Sequence, residues 1–254
     1  MKTSIAVPAG AAYFEGHFPG RPILPGVVEM LLVVEALARA WQRPVALRGI
    51  AFARLRQLVL PGEQLELEWR ELDDGRVRVD LTRQGSAVAN AELILGPPAQ
   101  RAQPASLDAA ARLPVPAPPL DALLPHRPPM RFVTAILGQT EQGLDCTACV
   151  PAECGLASAG LVPALAAVEA AAQTAAAWEA VRRWRDGNPA EPRVGYLVAL
   201  RDVVFFAEHI AAGQSFAACV RLEAAAPPLT HYRFEAALNG SLVASGMIAT
   251  FLAA

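Results

Sequence analysis

Gly16-His17-Phe18-Pro19-Gly20-Arg21-Pro22-Ile23-Leu24-Pro25-Gly26-Val27-Val28-Glu29-Met30-Leu31-Leu32-Val33-Val34-Glu35-Ala36-Leu37-Ala38-Arg39-Ala40-Trp41 decides how the rest of this 254-residue chain is read. Its first half is a Gly/Pro loop around one histidine. Its second half predicts a helix from about Pro25 to Trp41. Pro25 is tolerated in the first turn, where its missing N–H would have no partner anyway. Apolar residues run almost all round this helix, the pattern of an element enclosed by protein on every side. Strands are expected near 46–60, 65–72, 76–84 and 87–95. Arg76-Val77-Arg78-Val79-Asp80-Leu81 alternates with period two, and Asp73-Asp74-Gly75 supplies a hairpin turn. Antiparallel strands behind a single helix predict an α+β lobe whose sheet wraps the helix.

The plan recurs in the second half of the chain. A longer apolar helix is expected from about Pro163 to Trp184, with strands near 194–207, 214–223, 230–238 and 241–252 and a hairpin turn at Asn239-Gly240. Gly240-Ser241-Leu242-Val243-Ala244 echoes Gly85-Ser86-Ala87-Val88-Ala89. Residues 97–119 are rich in Pro and Ala without apolar periodicity and read as a semi-extended linker. The chain therefore reads as a tandem duplication, with lobes at 1–96 and 120–254. One segment, Leu123-Leu124-Pro125-His126-Arg127-Pro128-Pro129-Met130, belongs to the second lobe alone.

Composition removes several function classes. A net charge of -2 and scattered Lys and Arg give no electrostatic footprint for nucleic acid. The apolar stretches at 23–41 and 161–180 approach the length of a membrane span. Glu29, Glu35 and Arg39 interrupt the first, and Glu169, Gln173 and Glu179 the second, so both read as buried helices of a cytoplasmic protein. Met1–Pro8 is broken by Pro8 and Gly10 before a signal-peptide core accumulates. Structural zinc at Cys146, Cys149 and Cys154 is not expected: no fourth ligand is near, and Cys146 and Cys149 would point to opposite faces of a strand. The cysteines read as buried thiols of a reducing compartment.

The Gly-His-Phe-Pro-Gly-x-Pro-x-x-Pro-Gly-Val run resembles the signature of the hotdog-fold bacterial 3-hydroxyacyl-acyl-carrier-protein dehydratases of the FabZ/FabA type. The second lobe resembles the same superfamily more loosely, through Leu-Pro-His-Arg-x-Pro-Met and the Glu-Ala-x-Ala-Gln of its helix. The two lobes are most similar to the pair of dehydratase-like proteins of aryl polyene synthesis. The resemblance implies a double hotdog fold. In that family the helix carboxylate falls fourteen residues after the motif histidine and six after the second motif proline. From His17 and Pro25 both counts reach Leu31. From Pro163 the count reaches Glu169, and fourteen back from Glu169 is Gly155. Each lobe lacks what the other keeps. Family sites form where two subunits meet, which implies one composite site of His17 and Glu169 and one inert pairing of Gly155 with Leu31.

Dehydration of a 3-hydroxyacyl thioester needs a base at C2 and an acid at the C3 hydroxyl. The resemblance implies neutral His17 as base and Glu169, kept protonated by its apolar helix, as acid. It also implies the Gly26 N–H as donor to the thioester oxygen. Gln173, one turn beyond Glu169, is expected to orient the carboxyl group. Phe18, Pro25 and Leu31 are expected against the substrate. Glu29 is turned well away from Leu31. Glu35 reads as one of a polar pair across the lobe interface, with a displaced carboxylate as the alternative. His126, His209 and His231 read as structural or surface histidines. Arg48, Arg54 and Arg56, and Arg182, Arg183 and Arg185, are candidate docking charges for an acidic carrier protein with its phosphopantetheine arm. No metal or organic cofactor is called for. A homo-oligomer or a place in a biosynthetic complex is compatible with the resemblance. Two other readings are a hotdog thioesterase, which needs Glu169 but not His17, and a noncatalytic acyl-binding or scaffold module.

Overall fold

The computed structural model describes residues 1–105, 116–189 and 191–252. The middle of the expected linker, 106–115, lies outside these. The first lobe comprises β1 (Lys2–Ala6), α1 (Gly26–Trp41), β2 (Leu47–Leu55), β3 (Gln64–Glu71), β4 (Arg76–Arg83) and β5 (Ser86–Leu95). The second comprises a one-turn α2 (Leu120–Leu123), β6 (Val133–Thr140), β7 (Gly143–Cys149), β8 (Leu161–Pro163), α3 (Ala166–Arg185), β9 (Gly195–Phe205), β10 (His209–Ala211), β11 (Ser215–Ala226), β12 (Leu229–Leu238) and β13 (Ser241–Leu252). All pairings are antiparallel, and the fold is the expected α+β double hotdog.

Eleven strands form one sheet in the order β1-β3-β4-β5-β2-β9-β13-β12-β11-β7-β6. The lobes join where β2 pairs with β9, from Gly49 opposite Val204 to Arg54 opposite Ala199. Gly49 is required at this seam, because a Cβ there would stand 2.5 Å from the Val203 carbonyl oxygen. Period two appears where expected: Leu65, Leu67 and Trp69 of β3 and Val77, Val79 and Leu81 of β4 are buried between outward polar residues. Asp74-Gly75 and Asn239-Gly240 both take positive φ at both positions, the geometry of a type I′ hairpin.

The helices differ from the expectation in two ways. On α3, the Ala-rich face lets strands approach closely and thirteen of its residues are buried. On α1 one side is open, with Glu35, Arg39 and Ala40 exposed. Glu35 faces solvent, its closest charged partner being Arg39 at 4.0 Å one turn on. It is neither a displaced carboxylate nor a pair across the interface. The start of α3 is also three residues later than expected, because Leu161–Pro163 pair with β10 as β8. The described start of the linker crosses the second lobe: the Ala99 N–H donates to the Phe205 carbonyl (2.9 Å) and the Leu242 N–H to that of Ala102 (2.8 Å). No helix among the described residues is long and apolar enough to cross a membrane.

Candidate active site

The loop of the first lobe and the opening segment of the second are built against each other. Gly16 (φ +80°) has no room for a side chain, since a Cβ would lie 2.0 Å from the Arg127 carbonyl oxygen, and the Arg127 N–H donates to the Gly16 carbonyl at 3.0 Å. The Arg127 guanidinium folds back onto its own segment, donating to the carbonyls of Leu124 (2.6 Å), His126 (2.8 Å) and Asp121 (3.2 Å). These bonds fix the backbone that carries His126. Its ring lies 5.3 Å from that of His17 and 4.7 Å from that of Phe18, centroid to centroid.

His17 is buried, and its Nδ1 sits 2.9 Å from the Ile23 carbonyl oxygen. A carbonyl only accepts, so Nδ1 carries the hydrogen, and the neutral ring has its lone pair at Nε2. Burial holds the ring below the ordinary histidine range against the upward pull of the Glu169 charge.

Glu169 lies in the first turn of α3, only 3 % exposed. His126 Nε2 stands 3.4 Å from its Oε1, and the Gln173 amide donates to the same oxygen at 3.1 Å. Gln173 is itself tied down, donating to the Met130 carbonyl (2.8 Å) and accepting from the N–H groups of Phe132 (2.7 Å) and Val133 (3.3 Å). Burial pushes the Glu169 carboxyl upward. The His126 hydrogen bond, the neighbouring imidazoles of His17 and His126 and the Gln173 amide outweigh it and hold the group below the ordinary carboxylate range. This corrects the expectation of a carboxyl kept protonated by apolar surroundings: the helix is apolar, but the carboxylate faces three polar neighbours.

Donor atoms of His17, His126 and Glu169 lie within 4.8 Å of one another. Two imidazoles and a carboxylate are also the residue types of a mononuclear metal site. Cys146 is buried and Cys149 half-buried on the same strand.

A cavity of about 800 Å³ opens from this group. His17, Phe18, Gly26 and Glu29 line it from the first lobe. Along α3 its wall is Glu169, Ala172, Ala175, Ala176, Glu179 and Arg183, one helix face running roughly 21 Å at 1.5 Å per residue. Of the expected docking arginines, Arg56 and Arg183 line the cavity, joined by Arg193. Arg54 instead lies over Phe52, and Arg185 donates to Gln139.

Two of the expected substrate contacts lie elsewhere. Leu31 borders a separate gap of about 10 Å³ with Val27, Leu156, Pro163, Leu165 and Ala166. Glu29 faces the cavity, and two residues further on a helix the side chain points about 200° away. Pro25 is the N-cap residue of α1, behind the lining formed by Leu24 and Gly26. Gly155 (φ +82°) packs against the first lobe, where a Cβ would stand 3.1 Å from the Tyr13 nitrogen.

Sequence reasoning missed His126, which it classed as structural or surface. The search was for a carboxylate at a fixed spacing along the chain, and Glu169 is 43 residues from His126. The available signal was that the Leu-Pro-His-Arg segment belongs only to the lobe that keeps the acid. His209 is exposed and His231 half-buried, and neither lines the cavity.

Residues 118–254, more than half of the chain, match the profile of the ApeP-like family, described as ApeP dehydratase. The chain belongs to the ApeP-like dehydratases. Its other lobe, residues 1–92, matches the profile of the ApeI dehydratases. The chain is 39 % identical over 98 residues to 3-hydroxyacyl-[acyl-carrier-protein] dehydratase FabZ of Pelotomaculum thermopropionicum, covering 34 % of this chain and 66 % of that one. It is 37 % identical over 118 residues to the FabZ of Granulibacter bethesdensis, covering 38 % and 67 %. The chain thus spans about two thirds of the length of these curated relatives. A trans-AT polyketide synthase dehydratase domain from Brevibacillus brevis superimposes with a TM-score of 0.74 at 13 % identity, covering 100 % of this chain and 94 % of that one. For the RzxB dehydratase domain of Pseudomonas fluorescens the values are 0.71, 16 %, 98 % and 93 %. At these identities the likeness establishes the fold.

Proposed function

We propose that this chain dehydrates 3-hydroxyacyl thioesters carried on acyl carrier protein to trans-2-enoyl thioesters, in fatty-acid-like or aryl polyene synthesis, at one composite site. The observation that carries the reading is the meeting of His17 from one lobe with Glu169 from the other at the head of a long cavity.

His17, neutral and with Nε2 free, removes the C2 proton. The C3 hydroxyl leaves as water on taking a proton from the Glu169–His126 pair, delivered through Glu169. Gln173 holds the carboxylate in orientation. His17 then returns its proton to the pair or to solvent, restoring the site. Arg56, Arg183 and Arg193 at the cavity wall suit the phosphate of a phosphopantetheine arm and an acidic carrier surface. A cytoplasmic location fits a partner of that kind.

The test is turnover of a 3-hydroxyacyl carrier-protein thioester by wild type, His17→Ala and Glu169→Gln, with enoyl formation and free-acid release followed separately. Enoyl product lost by on the order of a hundredfold or more in each variant is expected, unaffected by chelator. Free acid lost only with Glu169 would instead identify a thioesterase, and no turnover with any acyl chain would favour a binding module.

A further inference from the structure

Of the buried acids that the proposed mechanism does not use, Glu92 is paired with Arg76 and Arg78 and Asp145 with Arg221, which leaves Glu29. Glu29, on the cavity side of α1, is 3 % exposed and its Oε1 has no hydrogen-bond partner. Leaving a carboxyl group unpaired in an apolar wall costs stability, and among the described residues no salt bridge or hydrogen bond uses it. It shares the cavity with His17, His126, Glu169, Arg56 and Tyr196. Burial alone lifts it from the ordinary 4.5 to about 8. At neutral pH it is therefore a carboxylic acid with a hydrogen to donate.

Its position on the helix says where that hydrogen points. Helical side chains lean toward the N-terminus and cover the preceding turn. Glu29 thus leans over Gly26, three residues earlier, which lines the same cavity. The first N–H groups of a helix have no intrahelical acceptor, and no side chain caps α1. An amide donor and an acid donor one helical turn apart thus line the cavity that His17 also lines.

We propose that Glu29, as a neutral carboxylic acid, and the Gly26 N–H form a two-donor oxyanion pocket for the thioester carbonyl. The proposal rests on the dehydration reading. As His17 takes the C2 proton, the electron pair of that C–H bond moves into the C1–C2 bond and charge develops on the thioester oxygen, held by the two donors. The charge returns as the C3–O bond breaks and water departs. A neutral acid suits this better than a carboxylate, which would repel the developing charge.

The experiment compares Glu29→Leu and Glu29→Gln with wild type and His17→Ala, all as the full chain. Glu29→Leu removes the donor and is expected to lower kcat on the order of a hundredfold with little change in KM. Glu29→Gln keeps a donor and is expected to recover most of that loss. Removing an unpaired buried acid leaves the fold intact, checked by thermal unfolding. A direct readout is the carbonyl stretch of a C1-¹³C trans-2-enoyl pantetheine thioester bound to each protein. It is expected to shift toward its free-solution frequency in Glu29→Leu but not in His17→Ala. If Glu29→Leu keeps kcat and the bound frequency while His17→Ala is dead, the pocket is wrong and the dehydration reading stands. If wild type forms no enoyl product, both fall together.

Discussion

The two junctions between the lobes occupy equivalent places in the duplicated plan and have opposite outcomes. At one, His17 faces Glu169 and about 800 Å³ stands open. At the other, Leu31 borders a gap of only about 10 Å³, walled by Leu156, Leu165 and Pro163, and Gly155 packs against Ala12 and Tyr13. The difference extends beyond the two lost side chains. Glu169 is held by Gln173 one turn on and by the segment carrying His126. One turn beyond Leu31 stands Glu35, pointing into solvent, and the first lobe has no counterpart of residues 123–130. A buried carboxylate needs its supporting shell, and once the carboxylate is gone hydrophobic side chains close the space.

The contrast can be tested from its most costly feature downward. The open junction holds an unpaired acid, so its stability depends on pH. Below the unfolded-state value near 4.5, Glu29 is protonated whether folded or not. Between 4.5 and about 8 only the folded chain keeps that proton, so its contribution is lost as pH rises through this window. The loss is on the order of 5 kcal/mol at 1.36 per pKa unit. Urea titrations across that window are expected to show a shallower fall for Glu29→Leu than for wild type; equal slopes would contradict it. The closed junction resists the reverse change. Leu31→Glu places a carboxylate among Leu156 and Leu165 without Gln or His to receive it, and is expected to destabilise by about 3 kcal/mol while adding no turnover. A second enoyl-forming site in that variant, detectable once His17 is replaced, would show that the closed junction lacks only its acid. Smallest is the support itself: His126→Asn is expected to lower kcat between roughly tenfold and a hundredfold, in the range of lost orienting contacts. It should also move the alkaline limb of the kcat–pH profile, because the proton that the pair delivers then resides on Glu169 alone. An unshifted limb would reduce His126 to packing.

The fold was legible where the chain states its own geometry. Asp74-Gly75 and Asn239-Gly240 fix two hairpins by their backbone preference, and the alternation in β3 and β4 assigns their faces. The pre-helix strands β1 and β6 were not read, because β1 is only five residues long and β6 shows no regular alternation of buried and exposed positions, whereas β7 was foreseen only as the strand that carries Cys146 and Cys149. The start of α3 was misplaced because Leu161–Pro163 are apolar enough for a helix and only the pairing with β10 makes them a strand. For the site, the resemblance nominated His17 through its motif and Glu169 through the family's spacing counted from Pro163. It could not foresee that Arg127, bonded to Gly16 and to its own loop, would bring His126 onto Glu169. Nor could it foresee the charge state of Glu169, which depends on neighbours that only folding assembles.

The two lobes belong to one polypeptide, and the seam between β2 and β9 holds the proposed half-sites together. Separate subunits carrying a base and an acid would find each other by mass action and part on dilution. Here each half meets its complement at an effective concentration in the millimolar range set by the connecting chain. The assembly is always one to one, and no homodimer of base-bearing or acid-bearing halves can compete for it. Turnover per mole of chain should therefore hold constant down to concentrations at which a two-component version would fall silent.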